Sequence, residues 1–317
     1  MKELLPTHVC HCDWGSVPRK RWLACAVRTA DGQFTASAPS PVGDPTALIS
    51  SKLLEIGTAG CAVMGFDFPI GLPSFYAREN RIRDFKTFAL NLGNSELSSF
   101  FKVAELPSEI SFRRPVYPYR PGKTKHEHLV TALGVEEFDD LRRDCEKATI
   151  KRKAACPLFW TLGANQVGKG ALFGWKDVII PAMKKYPHAV RLWPFDGPLQ
   201  TLLTAGSVVI AETYPAEYYP WLFETAPKGK GEQSVRKAAG TALIKWAAKR
   251  GIKLDAPLTV TIQNGFPEGD DAFDAVVGLF GILEVVLGSR KSGDPLDDQK
   301  SKVEGWILGQ LNESFYE

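Results

Sequence analysis

No stretch of this 317-residue chain reaches the ~20 consecutive apolar residues that a bilayer span needs. The nearest approach, Ala275 to Leu287, is interrupted by Glu284, so a membrane-spanning protein is not expected. The opening Met1-Lys2-Glu3-Leu4-Leu5-Pro6 lacks the apolar core of a signal peptide, which predicts a cytoplasmic location. The six cysteines, at 10, 12, 25, 61, 145 and 156, never fall in a CxxC pair and read as free thiols of a reducing compartment. No repeat of solenoid period is present. No GxSxG or Cys-His signature supports a serine or cysteine nucleophile. Charge of one sign is also scarce: the net value of +3 neither demands nor excludes a polyanionic partner. With 44% hydrophobic and 24% charged residues, the composition excludes disorder, collagen and coiled coil. The length suffices for a core that folds without crosslinks.

What the sequence does contain begins with three strand-like runs, Thr7 to Asp13, Arg21 to Thr29 and Phe34 to Ser40. Gly15 and Pro18 separate the first pair and Asp31-Gly32 the second, which predicts an antiparallel meander with a hairpin at Asp31-Gly32. Asp44 then reads as a helix cap with Pro45 at the first helical position, and Leu48, Ile49, Leu53, Leu54 and Ile56 as the apolar stripe. The continuous apolar run from Cys61 to Asp67 fits a strand buried on both faces in a parallel arrangement, and Ser207 to Thr213 is another of that type. An amphipathic helix is expected over Gln233 to Arg250 and a nearly all-apolar one over Asp270 to Leu287.

Between them, residues 71–206 are rich in proline, aromatic and basic residues and read as a large insertion in a core made of 1–70 and 207–317. Lys and Arg number 21 there against 14 Asp and Glu, so this segment carries +7 and the rest of the chain −4. Positive potential is thus expected in the insertion and acid in the frame.

The acids of the frame are placed suggestively. Asp13, Asp67 and Glu212 each end a predicted strand, and ligands of parallel sheets sit at strand carboxyl ends. Asp270 and Asp271 can be first-turn acids that complement a helix dipole. Asp274 lies a turn further in, among Ala272, Phe273, Ala275, Val276 and Val277, where an unpaired carboxylate is costly and calls for a cation or donors. Asp271 and Asp274 share a helix face, and Gly278 and Gly281 continue it from Asp274, allowing close approach to a sheet. Acids on a packed helix facing acids at strand ends would make an all-oxygen site of the type that Mg²⁺ or Mn²⁺ takes.

These features resemble a known family. The strand order, the acid after the first strand, Gly65-Phe-Asp-Phe-Pro-Ile-Gly-Leu-Pro73, Ala211-Glu-Thr-Tyr-Pro-Ala216 and Gly269-Asp-Asp-Ala-Phe-Asp-Ala275 are similar to the domain-of-unknown-function family 429, predicted RNase H-like nucleases. Leu158-Phe-Trp-Thr-Leu-Gly-Ala-Asn-Gln-Val-Gly-Lys169 extends the resemblance into the insertion. The resemblance implies an α/β fold with an RNase H-like mixed sheet, three antiparallel strands followed by parallel ones, flanked by helices, with the insertion after the fourth strand. It also implies a metal site on Asp13, Asp67 and Asp271/Asp274. The glutamate that some superfamily members carry on the first helix has only Glu55 as a counterpart.

Two other patterns carry less. Gly163-Ala-Asn-Gln-Val-Gly-Lys169-Gly170 approaches a P-loop but has Gly170 where the magnesium-binding hydroxyl belongs, leaving a glycine-rich loop whose amides and Lys169 can meet a phosphate backbone. His8, Cys10 and Cys12 alternate to one strand face and His11 to the other, so they cannot close a zinc shell together. His126 and His128 read as solvated loop residues. The tract from Phe112 to Lys125 mixes cations and aromatic rings as single-strand grooves do, and it equally suits a proline-stiffened surface loop.

The function expected is a metal-dependent nuclease, hydrolysing nucleic acid, DNA or RNA, with Mg²⁺ or Mn²⁺ held by Asp13, Asp67, Asp271 and Asp274 and Glu212 nearby. Arg113, Arg114, Lys123 and Lys169 are the expected substrate contacts. One alternative is a non-catalytic module on the same fold that binds nucleic acid or protein. Another is an actin-like phosphotransferase, for which Asp13-Trp14-Gly15 gives the opening turn but no second half follows.

Overall fold

The computed structural model describes residues 5–150, 152–162, 167–295 and 297–311. Alternation sets the first strands. In β1 (His8–Asp13) and β2 (Trp22–Arg28), antiparallel pairing runs from His8 opposite Val27 to Asp13 opposite Trp22. β3 (Phe34–Ala36) returns along β2 through a turn in which Gly32, at φ +86°, donates its N–H to the Thr29 carbonyl at 2.9 Å. Glycine reaches that left-handed conformation without the steric cost of a Cβ. The expected meander is present, with its third run broken so that Ser40–Pro41 (β4) pairs with the start of β2. The register also puts Cys10 directly opposite Cys25, with Cα atoms 4.2 Å apart, and the two are joined as a disulfide rather than left as free thiols. Cys12, Cys61, Cys145 and Cys156 are free.

Helix α1 spans Leu48–Ile56 and starts later than Asp44 and Pro45 suggested. The Asp44 carboxylate accepts from the Thr46 N–H at 2.9 Å and its hydroxyl at 2.7 Å, closing a turn ahead of the helix. β5 (Ala62–Phe66) is buried throughout and runs parallel to β1. Further along, α2 (Val167–Gly174) passes through a π-helical turn at Trp175–Ile179 into Ile180–Lys185. Pro181 has no N–H to give, which fits a register change there.

β6 (Val190–Trp193) and β7 (Val208–Glu212) complete the parallel part, β7 lying between β5 and β6. The 71–206 segment therefore contributes an edge strand to the sheet and is not wholly outside it. α3 (Pro215–Leu222), α4 (Gln233–Lys249), β8 (Lys253–Leu254) and α5 (Asp270–Val286) follow. The sheet order is β6-β7-β5-β1-β2-β3-β8, with β4 beside β2. The chain is thus α/β, with a mixed sheet flanked by helices.

The two faces of the sheet have different covers. α5 crosses β1 and β2 on one face, and Val9, Val63 and Val209 point into the core it shares with Phe280 and Leu283. On the other face Cys12, Met64, Phe66 and Ile210 meet α1 and aromatic residues of 71–206, including Tyr76, Phe100 and Trp175. The aromatic richness of that segment therefore extends the core, and the Trp175 indole N–H reaches the Pro69 carbonyl at 2.7 Å.

Gly278 makes the close approach of α5 possible, because a Cβ there would stand 2.3 Å from the ring of buried His11. Burial drives the His11 pKa down to about 3, so the ring is neutral. Gly281 faces the Tyr218 ring of α3 rather than the sheet. Glu284, the one acid in the last apolar run, receives Arg250 at 2.8 and 2.9 Å and the Trp246 indole N–H. No helix among the described residues is long and apolar enough to cross a membrane.

Candidate functional site

In three parallel neighbours, β7, β5 and β1, the carboxyl ends line one edge of the sheet. Side chains alternate across that sheet, and Cys12, Phe66 and Glu212 are in register. Cys12 and Phe66 point to the face covered by 71–206. The residues one position further, Asp13 and Asp67, consequently point to the face covered by α5. There they meet Asp274, which lies one helical turn into α5.

The three acids form an electrostatically crowded group. Asp13 and Asp274 are buried, while Asp67 keeps partial exposure. Asp67 accepts the Trp14 N–H at 2.6 Å, and its carboxyl interacts with that of Asp13. Two acids so close favour keeping a proton on one of them. Burial, followed by the charges of Asp67, Asp274 and Asp271, raises the Asp13 pKa well above the usual carboxylate range. Burial also lifts Asp67, to about 7, against the Trp14 hydrogen bond and the Asp13 interaction.

Asp274 has partners that strand and helix patterns did not disclose. The Tyr219 hydroxyl of α3 donates to one carboxylate oxygen at 2.6 Å, and the Lys230 ammonium holds the other. Burial still leaves Asp274 above its ordinary pKa despite these two donors. Burial pulls Lys230 down, but Asp274, Asp13 and Asp270 outweigh it and keep the amine charged. Its loop is pinned by buried Arg236 of α4, which donates to the Lys230 and Gly231 carbonyls at 2.6 and 2.9 Å and to those of Gly265 and Phe266 just before α5. Asp271 stands at the half-buried rim, where burial and its acidic neighbours raise its pKa while Lys20 lowers it.

Glu212 is not brought to this group. In register with Phe66, it points to the opposite face, where it accepts both Nη atoms of Arg143 at 2.7 and 2.6 Å and the Ile70 N–H at 2.7 Å. Arg143 also binds Glu146 and the Ile70 and Glu304 carbonyls. Glu212 therefore ties 71–206 to the sheet and is not an exposed acid beside the site. The residue of β7's continuation that shares the Asp13 and Asp67 face is Thr213, whose Oγ1 is buried without a partner among the described residues. Glu55 is also elsewhere, paired with Lys52 on α1.

The expected substrate contacts are dispersed. Arg113 pairs with exposed Glu96 at 3.0 Å, and Lys123 is exposed. Arg114 and Lys169 both line a cleft of about 650 Å³ that opens at Ser16, three residues beyond Asp13. Arg114 is occupied by Glu109 and the Lys102 and Val103 carbonyls, and Lys169 by the Tyr119 carbonyl. Residues 163–166 of the P-loop-like stretch lie outside the described residues, and its remainder, from Val167, opens α2. His126 and His128 are not free loop residues: the former stacks on Phe138 with centroids 3.7 Å apart, and the latter bonds the Tyr117 hydroxyl at 2.8 Å.

In kind, Asp13, Asp67 and Asp274 suit a hard divalent cation, being all-oxygen donors with excess negative charge. In placement, no three His, Cys, Asp or Glu among the described residues are arranged to hold a metal ion. The raised pKa values of Asp13 and Asp67 and the Lys230 ammonium instead reduce the charge of the group. No protein-family model, curated protein or solved structure matches this chain.

Proposed function

We propose that the chain is a metal-dependent nuclease, hydrolysing phosphodiesters of nucleic acid on an RNase H-like α/β fold with 71–206 as its insertion. The observation that carries this reading is the convergence of Asp13, Asp67 and Asp274 at strand ends under α5, each held above its ordinary pKa. The short motifs shared with the predicted RNase H-like nucleases support it.

These three carboxylates would hold Mg²⁺ or Mn²⁺, with Asp271 at the rim, provided that Lys230 released Asp274 and the side chains closed from the arrangement described above. Such ions activate water and stabilise a leaving oxygen in an in-line displacement. Asp67, lifted to about 7 by burial, would give up its proton on holding the ion, so ion binding is expected to weaken as pH falls below neutral. Tyr219 fixes Asp274 by its hydroxyl hydrogen bond. Lys230, which pairs with Asp274, would be free to donate to a phosphate oxygen if a cation held that carboxylate.

One observation favours a second reading, a non-catalytic binding module: Asp274 already has two partners in Tyr219 and Lys230. For an actin-like phosphotransferase a second half is needed, whereas all the named strands belong to one sheet.

Titration calorimetry with Mn²⁺ at neutral pH separates the two main readings. The nuclease reading expects saturable binding, lost in Asp67→Asn and several-fold tighter in Lys230→Gln, which removes the competing ammonium. No binding by either the wild type or Lys230→Gln would leave the binding module.

A further inference from the structure

The cleft of about 650 Å³ beside Ser16 has a composition that the acid cluster does not explain. Lys102, Arg114, Lys169 and Lys176 line it against a single acid, Glu105. Two of these cations are already engaged with protein oxygens, Arg114 with two carbonyls and Glu109, Lys169 with the Tyr119 carbonyl. Lys102 and Lys176 are exposed, and among the described residues their ammonium groups have neither hydrogen bond nor ion pair. They are the charges available to a ligand.

Aromatic rings stand between these cations. Tyr119 and Phe173 are 45% and 41% exposed, whereas most rings of the same segment are buried in the core, and Phe101 joins them in the cleft wall. Lys169 and Arg120 lie 5.4 and 5.2 Å from the Tyr119 ring centroid, and exposed rings grouped with cations in one cleft suit a ligand with both flat apolar faces and negative charge. A phosphate alone would leave the rings uncovered, and an apolar ligand would leave the lysines unmatched.

The cleft wall is linked to the acid cluster by packed side chains. The Arg21 guanidinium lies 4.3 Å from the Trp14 ring centroid and 5.8 Å from that of Phe173. Trp14 gives its backbone N–H to Asp67. Gly170 of α2 faces the Trp14 carbonyl so closely that a Cβ would stand 3.4 Å from that oxygen.

We propose that this cleft binds single-stranded nucleic acid, with bases stacked on Tyr119 and Phe173 and phosphates neutralised by Lys102 and Lys176. Single strands fit because their base faces are open to stacking, whereas a duplex buries those faces and offers only edges and phosphates. The volume lies within the range of small-ligand pockets, roughly 300–1,000 Å³, which admits a few nucleotides. The proposal deepens the nuclease reading by naming its substrate class, and it rests on that reading for what happens at the acid cluster.

The test measures binding without cleavage. Fluorescence anisotropy of the full chain in EDTA is recorded with labelled oligothymidylate and oligouridylate of about 12 nucleotides, a length within single-strand site sizes, and with a duplex of the same length. The single strands are expected to bind more tightly than the duplex. Phe173→Ala and Phe173→Leu should each weaken single-strand binding by about 5–100-fold, the range for losing one stacked base. Leucine keeps an apolar side chain without the ring, so equal loss in both variants points to stacking rather than to altered folding. The double variant Lys102→Gln, Lys176→Gln should reduce the magnitude of the log K against log salt slope by about 1.4, at ~0.7 per single-strand phosphate contact. A preference for the duplex, an unchanged affinity in Phe173→Leu, or an unchanged salt slope would each overturn the proposal. Single-strand binding as expected without Mn²⁺-dependent cleavage would uphold the cleft and sink the nuclease reading. Cleavage unaffected by Phe173→Leu would do the reverse.

Discussion

Replacing Asp13 by asparagine should make the metal-free protein more stable at neutral pH, an unusual outcome for a buried polar residue. Asp13 is buried beside Asp67 and within range of Asp274, and its carboxyl retains a proton well above the usual carboxylate range. In the unfolded chain that proton leaves near pH 4. A carboxyl whose folded pKa is raised contributes stability that is fully present below the unfolded pKa and is lost as pH rises toward the folded one. Over that window the native state binds one more proton than the unfolded state, so stability falls by about 1.4 kcal/mol per pH unit. The Asp13→Asn change keeps the side-chain volume, supplies an N–H donor for Asp67 and removes the titrating group. As pH rises above the unfolded value of about 4, the variant should therefore gain on the wild type by up to ~1.4 kcal/mol per pH unit while folded Asp13 keeps its proton. Urea unfolding in EDTA at several pH values measures the difference, from which titrating groups remote from the cluster largely cancel. Parallel stability curves for the two proteins, or a variant that loses ground as pH rises, would refute the crowded-carboxylate account.

Two further substitutions examine the framework. Glu212→Gln leaves Arg143 with a weakened buried partner and should cost on the order of 3–5 kcal/mol in urea unfolding, while Mn²⁺ affinity of the folded variant stays at the wild-type value. A stability change below about 1 kcal/mol, at the level of an exposed pair, would show that this ion pair is not structural. Gly278→Ala drives a methyl into the His11 ring and should destabilise by about 1–3 kcal/mol or more, read as a lowered midpoint in thermal unfolding, and an unshifted midpoint would show that α5 has room to move off β1.

The sequence disclosed most where a periodic pattern and a polar exception coincided. Asp13 and Asp67 stood out as acids ending apolar runs, and Asp274 as a carboxylate inside an apolar helix, so their common edge could be anticipated from strand direction. Glu212 looked equivalent because it too ends a strand. A one-residue difference in register turns it to the opposite face, and register between strands separated by well over a hundred residues is set by packing rather than by local sequence. The same limit hid the Cys10–Cys25 pairing, since each cysteine alone looks like a small apolar strand residue. Tyr219 and Lys230 carry no local signal: one is a helical tyrosine, the other a loop lysine, and only the tertiary approach of α3 and its following loop to α5 joins them to Asp274. β6 was missed because four residues between Pro187 and Pro194 are too short a run to separate from the aromatic-rich surroundings. Aromatic richness in 71–206 suggested a binding surface, yet most of those rings complete the core, and the exposed Tyr119 and Phe173 can be told from the rest only by their burial.

Cleavage of labelled single-stranded DNA and RNA by the purified full chain, with Mg²⁺, with Mn²⁺ and with EDTA, tests the central claim most directly when wild type and Asp67→Asn are compared side by side. The account predicts hydrolysis by the wild type with either ion, none in EDTA, and a loss of roughly two or more orders of magnitude in the variant, in keeping with the several kcal/mol that a bound ion contributes to catalysis. Cleavage that persists in Asp67→Asn, or no ion-dependent cleavage of either nucleic acid by the wild type, would contradict it.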